Sequence, residues 1–200
     1  MDGTLVQSED CASQALIDVI PALAGESALA ITARYKGMRL AKIFDDIEMR
    51  NPGAIPESCL ELYREREESL SSKMITPSEG AFAMLEQIKV NICIASNAPI
   101  EKTVRSLAIC GLSGFFREGI FSAYEVGAWK PDPALFLHAA AAFNTDPEKC
   151  LVIEDSEVGL EAARSAGMDF VLYDPDESSR VSGSQSRVTA LANVLELANK

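Results

Sequence analysis

Residues 150–168 read CLVIEDSEVGLEAARSAGM, and this stretch decides the fold class. A short apolar, β-branched run from Cys150 to Ile153 is followed at once by two carboxylates, Glu154 and Asp155, and a hydroxyl, Ser156. From about Val158 to Ala166 the spacing becomes helical, and Gly167 stands where a helix stops. The unit is a buried strand, a polar turn and a helix. Outward from it, Val90 to Ala95, Ile120 to Ala123 and Phe170 to Tyr173 read as further buried strands. Helices are expected from about Pro99 to Cys110, closed by Gly111, and from Pro133 to Phe143. Upstream, Thr76-Pro77-Ser78-Glu79 fits a capping box with proline at the first helical position. The stripe Ala81, Met84, Leu85 and Ile88 follows it. Strands alternating with helices predict a doubly wound parallel sheet covered on both faces.

The N-terminal part reads differently. Apolar residues recur at helical spacing from Asp10 to Lys73, as in Ala15, Leu16, Val19, Ile20 and Leu23, then Leu40, Ile43, Phe44 and Ile47. No strand is expected there. From Glu57 to Ser71, Leu60, Tyr63 and Leu70 occupy one side and Glu and Arg crowd the other, which reads as a solvated helix face.

Acidic residues outnumber basic ones 30 to 18, for a formal charge of −12, so nucleic acid and anionic membranes are excluded as partners. The five cysteines lack CxxC spacing and are odd in number, which excludes a disulfide framework and a zinc site. With no signal peptide or membrane-length apolar run, a cytoplasmic protein is expected. The single histidine, His138, sits in an apolar helix and is read as packing or surface. Chemistry is left to carboxylates, hydroxyls and lysines.

Doubly wound sheets bind ligands outside the carboxyl ends of their strands. The residues there are Ser96 and Asn97, Glu125 to Asp132 with Lys130 among them, Glu154 and Asp155, and Asp174. Glu154-Asp155 offers hard oxygen ligands suited to Mg²⁺, although Asp155 or Ser156 could equally cap the next helix. Ser96 could cap the helix at Pro99, and Asp132 the helix at Pro133. Lys130 is not needed for any cap; near the strand ends its ammonium could hold a phosphate and a carboxylate together.

Met1-Asp2-Gly3-Thr4-Leu5-Val6, Ser96-Asn97, Lys130-Pro131-Asp132-Pro133 and Ile153-Glu154-Asp155-Ser156 with Gly159 resemble, in order and spacing, the four motifs of the haloacid dehalogenase superfamily. The helical insertion resembles the cap of its β-phosphoglucomutase-like subgroup. The segments WKPDPALFLHAA and LVIEDSEVGLEAARSAGM look most like the sugar-phosphate phosphatases, including those for a phosphorylated sugar acid. The resemblance implies a Rossmann-like α/β core over residues 1–9 and 77–200, with an inserted all-helical cap over residues 10–76. It implies phosphoester hydrolysis through an aspartyl-phosphate with Mg²⁺ as cofactor. Asp2 would be the general acid/base and, through its carbonyl, a metal ligand. Ser96, Asn97, Gly3 and Lys130 would bind the phosphate. Asp155 would bind the metal, with Glu154 direct or through water, and Lys36 and Arg39 of the cap would touch the rest of the substrate. The partner would be a small phosphorylated metabolite, and the protein a monomer or weak homodimer.

The chain departs from that pattern at its start. The superfamily's first motif is DxDGT; Met1 stands at x, so the nucleophilic aspartate falls one residue before the chain, together with a strand that normally lies between those beginning near Val90 and Cys150. Each unpaired buried backbone group would cost about 1–3 kcal/mol, against a usual net stability of about 5–15 kcal/mol. The expected explanation is a boundary at an internal methionine, with the parent chain continuing upstream. A chain genuinely starting at Met1 would lose hydrolysis by several orders of magnitude and serve as a phosphate-binding or regulatory protein. Gln7 is a second departure, at a position where an acidic residue is common. Phosphomutases share the core and are not separated by these motifs. Dehalogenases fit less well because they use no metal, and response-regulator receivers lack the insertion.

Overall fold

The computed structural model describes residues 1–177 and 186–198. The chain divides into two compact units, one spanning Gln7–Thr76 and the other combining Met1–Val6 with Pro77–Lys200. The passage out runs through β1 (Val6–Gln7) and the return through β2 (Thr76–Pro77), and these two short strands pair.

Between those two strands the first unit contains only helices: α1 (Glu9–Val19), a 3₁₀ turn at Pro21–Leu23, α2 (Ala28–Tyr35), α3 (Leu40–Arg50) and α4 (Cys59–Met74). Glu9 and Asp10 lie in the first turn of α1, where negative charge suits the helix dipole. Ser27 caps α2 by accepting the Ala30 N–H at 3.2 Å. The apolar stripes read from the sequence meet in one cluster, including Leu16, Ile20, Ile31, Ile43 and Ile47. Burying a side chain of that size contributes about 1.5–3 kcal/mol. The face of α4 is the expected one at Tyr63, which is buried, and at Leu70, which packs on the same cluster, but Leu60 is 41% exposed, whereas Cys59, Glu67 and Ser71 are buried. A strict four-residue spacing turns that row inward, and its packing carries Glu67 in with it, which hydropathy alone assigns to solvent.

The second unit contains α5 (Ala81–Gln87), β3 (Ile94–Ser96), α6 (Ile100–Ile109), β4 (Ile120–Ser122), α7 (Ala123–Val126), α8 (Ala134–Ala142), β5 (Leu151–Glu154), α9 (Glu157–Ser165), β6 (Asp169–Tyr173), β7 (Ser186–Val188) and α10 (Val194–Ala198). All pairings among β3 to β7 are parallel. β3 pairs with β4, bringing Ser96 opposite Ser122, and β5 pairs with β6, which pairs with β7. Among the described residues the two strand sets share no ladder. An apolar cluster of Phe136, Ala140, Val152, Ala162 and Ala163, with Ala95 of β3 packed against it, joins them instead.

Three local expectations need correction. Thr76-Pro77-Ser78-Glu79 is not a capping box: Thr76 and Pro77 are strand, and the Ser78 N–H donates to the Leu5 carbonyl at 2.9 Å. That pairing holds the segment extended, so α5 starts later, after Gly80 in the left-handed region at φ 76°. The strand expected from Val90 begins only at Ile94, whose N–H donates to Gly119 at 2.7 Å, while Val90 is 49% exposed. β7 was not expected at all, because Ser-Arg-Val is too short to show a period.

Burial contrast on α3 yields a direct test. Ile47 is 1% exposed and Met49 73% exposed. In urea denaturation Ile47→Ala is expected to cost about 2–5 kcal/mol, and Met49→Ala no more than about 0.5 kcal/mol. A pH test follows from Glu48, which accepts the Gly53 and Ile55 N–H groups at 2.6 and 3.1 Å. The Gly53 bond, then that from Ile55, hold its carboxyl below the ordinary 4.5. Its stabilisation is therefore present above that value and lost as pH falls through the lower folded-state value. Below pH 4.5 the denaturation midpoint should drop more steeply in the native protein than in Glu48→Gln.

Candidate active site

The site is built at the carboxyl ends of β3 and β5, within the second unit. After β3, the Ser96 hydroxyl accepts the Ala98 N–H at 3.1 Å, and its own O–H remains to donate. Ser96 is therefore a turn-former here and not the cap of α6, whose N-cap is Pro99 with no side-chain bond. From the end of β4, the Ser122 hydroxyl donates to the Ala98 carbonyl at 2.8 Å and fixes the same turn. Next to Ser96, Asn97 Oδ1 accepts the backbone N–H of Lys130 at 2.9 Å. This bond ties the Lys130 segment, across a long stretch of chain, to the end of β3.

Lys130 and Glu154 form a buried ion pair, with side chains only 7% and 6% exposed. The ammonium also lies 4.7 Å from the centre of the Phe136 ring, a cation–π contact. On the other carboxylate oxygen, Ser156 Oγ donates to Glu154 Oε2 at 3.0 Å. Burial works against the charge on Glu154, yet the Lys130 ammonium, the N-terminal ammonium and the Ser156 hydroxyl together hold the carboxyl below the usual glutamate range. Ser156 is the N-cap of α9, accepting the Gly159 N–H at 3.3 Å, so the capping and site readings hold together.

Asp155 is 7% exposed. Thr4 Oγ1 donates to its Oδ1 at 3.1 Å, which brings the segment Asp2-Gly3-Thr4 to this carboxylate. That segment is a tight turn: the N–H groups of Thr4, Leu5 and Val6 all donate to the Met1 carbonyl, and Asp2 bridges Val6. Gly3 has φ 70°, and a β-carbon there would overlap the Asp155 carboxylate. Only glycine suits both demands.

Ser96, Asn97, Lys130, Glu154, Asp155 and Gly3 are thus linked by consecutive contacts, and Asp2 adjoins them in the chain. Lys36 and Arg39 lie in the other unit, exposed on the loop between α2 and α3. Asp174 is committed to an ion pair with Arg187 of β7 at 3.1 Å. His138 is exposed and packs edge-on to Phe121; Asp132 Oδ1 accepts the Ala134 N–H at 2.8 Å, but the N-cap of α8 is Pro133, one residue later than expected and without a side-chain bond. Thr4, Ser122, Ser156 and Phe136 went unsingled in the sequence as site-shaping residues. Thr4 had a signal, its place in Asp-Gly-Thr; for the others the partner is remote or the role local.

Two adjacent buried carboxylates at a strand end fit a hard divalent cation. Among the described residues no three Asp, Glu, His or Cys side chains converge as a full ligand set. Such an ion would be completed by backbone oxygen, water and substrate, as Mg²⁺ commonly is. Glu154 is held by Lys130 and Ser156, and Asp155 by Thr4, so both carboxylates are fixed in place at the strand end.

Comparison with known proteins identifies the family. The family model for haloacid dehalogenase-like hydrolases matches residues 1–167. The 6-phosphogluconate phosphatase of Escherichia coli is 32% identical over 203 residues, covering 98% of this chain and 90% of the relative. A haloacid dehalogenase-like protein from Agrobacterium tumefaciens superposes with a TM-score of 0.83 at 26% identity, covering 99% and 94% of the two chains. A hydrolase of the same family from Deinococcus radiodurans, solved with phosphate and sodium, gives 0.78 at 26% identity, covering 100% and 93%. With a parallel α/β core, strand-end carboxylates around a buried lysine, and a match over most of its length, the chain belongs to the haloacid dehalogenase-like hydrolases.

Proposed function

We propose that the protein is a phosphoric monoester hydrolase acting on a small sugar phosphate or sugar-acid phosphate, with Mg²⁺ as cofactor. The observation that carries this reading is the buried Lys130 ammonium, held by Glu154 and by the Asn97 contact beside the Ser96 turn. In a chain of net charge −12 this cation supplies the local attraction that a phosphate dianion needs. The 6-phosphogluconate phosphatase relative supports the substrate class.

Lys130 would neutralise the phosphoryl oxygens, and the Ser96 O–H would donate to one of them. The backbone N–H of Asn97 and the start of α6 would add further donors, with Gly3 letting the chain pass close to the phosphate. Asp2 would protonate the leaving oxygen and then take a proton from water. Its carbonyl and Asp155 would hold Mg²⁺, with Glu154 acting through water. When bound, Mg²⁺ supplies charge neutralisation for the transferred group. The aspartyl-phosphate route would take as nucleophile the first aspartate of the DxDGT motif. Lys36 and Arg39 would contact the remainder of the substrate, with the helical unit serving as a cap that excludes water. Five free cysteines suit a reducing, cytoplasmic setting, and among the described residues no helix is long and apolar enough to cross a membrane.

Phosphate release from a sugar-phosphate panel tests the reading, using the chain extended at its N-terminus by an apolar strand ending in Asp one residue before Met1. Turnover is expected with Mg²⁺ and should vanish with EDTA; metal-independent turnover, or none on any panel member, would refute it. The 200-residue chain should bind the same sugar phosphates in a Mg²⁺-dependent manner, read by calorimetry. Lys130→Met is expected to abolish turnover and to cost about 3–5 kcal/mol in denaturation by stranding the Glu154 charge. Pairing it with Glu154→Gln should recover much of the stability and none of the turnover.

A further inference from the structure

We propose that Gly159 is a positioning residue: the missing side chain at this point of α9 is the seat in which the Glu154 carboxylate holds the Lys130 ammonium. A β-carbon at 159 would overlap the carboxyl carbon and both oxygens of Glu154, where carbon atoms normally stay about 3.5–4.0 Å apart. Nothing else about the position asks for glycine. Gly159 is the third residue of α9 and is not among the glycines of positive φ, so its backbone is open to any residue. Inside a helix glycine is less favourable than alanine. Gly3 touches Asp155 in the same manner, but its φ of 70° already requires glycine, so only Gly159 isolates the demand for space.

The seat is bonded as well as open. The Gly159 N–H donates to Ser156 Oγ, Ser156 Oγ donates to Glu154 Oε2, and the opposite oxygen receives Lys130. With a side chain at 159, Glu154 must rotate away, losing the Ser156 bond and releasing the lysine. The placement of Lys130 by Gly159 stands on geometry alone; its consequence for phosphate binding rests on the hydrolase reading above.

The test is a double-mutant cycle read without turnover. Gly159→Ala is made in the native background and in Glu154→Ala, and thermal midpoints are compared with acetylation of Lys130 by an amine-reactive ester, quantified by peptide mass spectrometry. In the native background the substitution is expected to lower the midpoint by more than about 4 °C. It should also raise Lys130 acetylation at least about tenfold, because the opened population grows once the ion pair is lost. In Glu154→Ala it should lower neither the midpoint nor the protection further. Gly159→Ala/Glu154→Asp, with a side chain one methylene shorter, should regain Lys130 protection. Equal midpoint losses in both backgrounds, or a folded Gly159→Ala with Lys130 still protected, would overturn the proposal. If Gly159→Ala alone does not fold, a folded Gly159→Ala/Glu154→Ala supports the seat and an unfolded one overturns it. Failure of the hydrolase reading would appear separately, as absent phosphate release with these Lys130 readouts intact.

Discussion

The second unit depends on one buried ion pair, that between Lys130 and Glu154. The β3–β4 and β5–β6–β7 strand sets share no ladder among the described residues, so their carboxyl ends must be brought together by side chains. Lys130 does this from both directions. Its backbone N–H is anchored to Asn97 after β3 and its ammonium to Glu154 at the end of β5. A buried pair of this kind contributes little net stability, because desolvating both charges offsets most of their attraction. What it contributes is placement: losing either partner leaves an uncompensated charge inside the protein, so alternative arrangements are strongly penalised.

That placement shapes the electrostatics of the site. A chain with twelve excess negative charges repels anions at long range, and salt screens that repulsion beyond about 10 Å. At short range the buried Lys130 ammonium and the Ser96 hydroxyl would work in the opposite direction. The carboxylates that balance this cation are kept from approaching freely: Glu154 is fixed by Lys130 and Ser156, and Asp155 is bonded by Thr4. Two glycines, Gly3 and Gly159, define how close the neighbouring backbone comes to each carboxylate.

Much of this was legible in advance. The strand, polar turn and helix from Cys150 to Ala166 follow from a change in hydrophobic period, and the helical nature of Asp10 to Lys73 from spacing alone. The errors share one cause. Thr76–Pro77 looked like a helix start because the residue types suit a cap, but pairing with Val6–Gln7 outweighed that local preference. Leu60 looked buried and Glu67 exposed, yet packing turned the Cys59–Tyr63–Glu67–Ser71 row inward. Ser122 reads only as part of a strand and Ser156 only as a helix cap, because their second partners, the Ala98 carbonyl and the Glu154 carboxylate, are met only in the folded chain.

By itself the sequence determined the class of fold, the two-part organisation and the order along the chain of the residues that follow the strands. These follow from residue type and local period, which are properties of short segments. Only the tertiary structure decided that Glu154 engages Lys130 on one oxygen and Ser156 on the other, that Thr4 reaches Asp155, and that Gly159 is empty for the sake of Glu154. Each of these is a contact between atoms whose distance depends on how separate elements pack, and no pattern within one element carries that information.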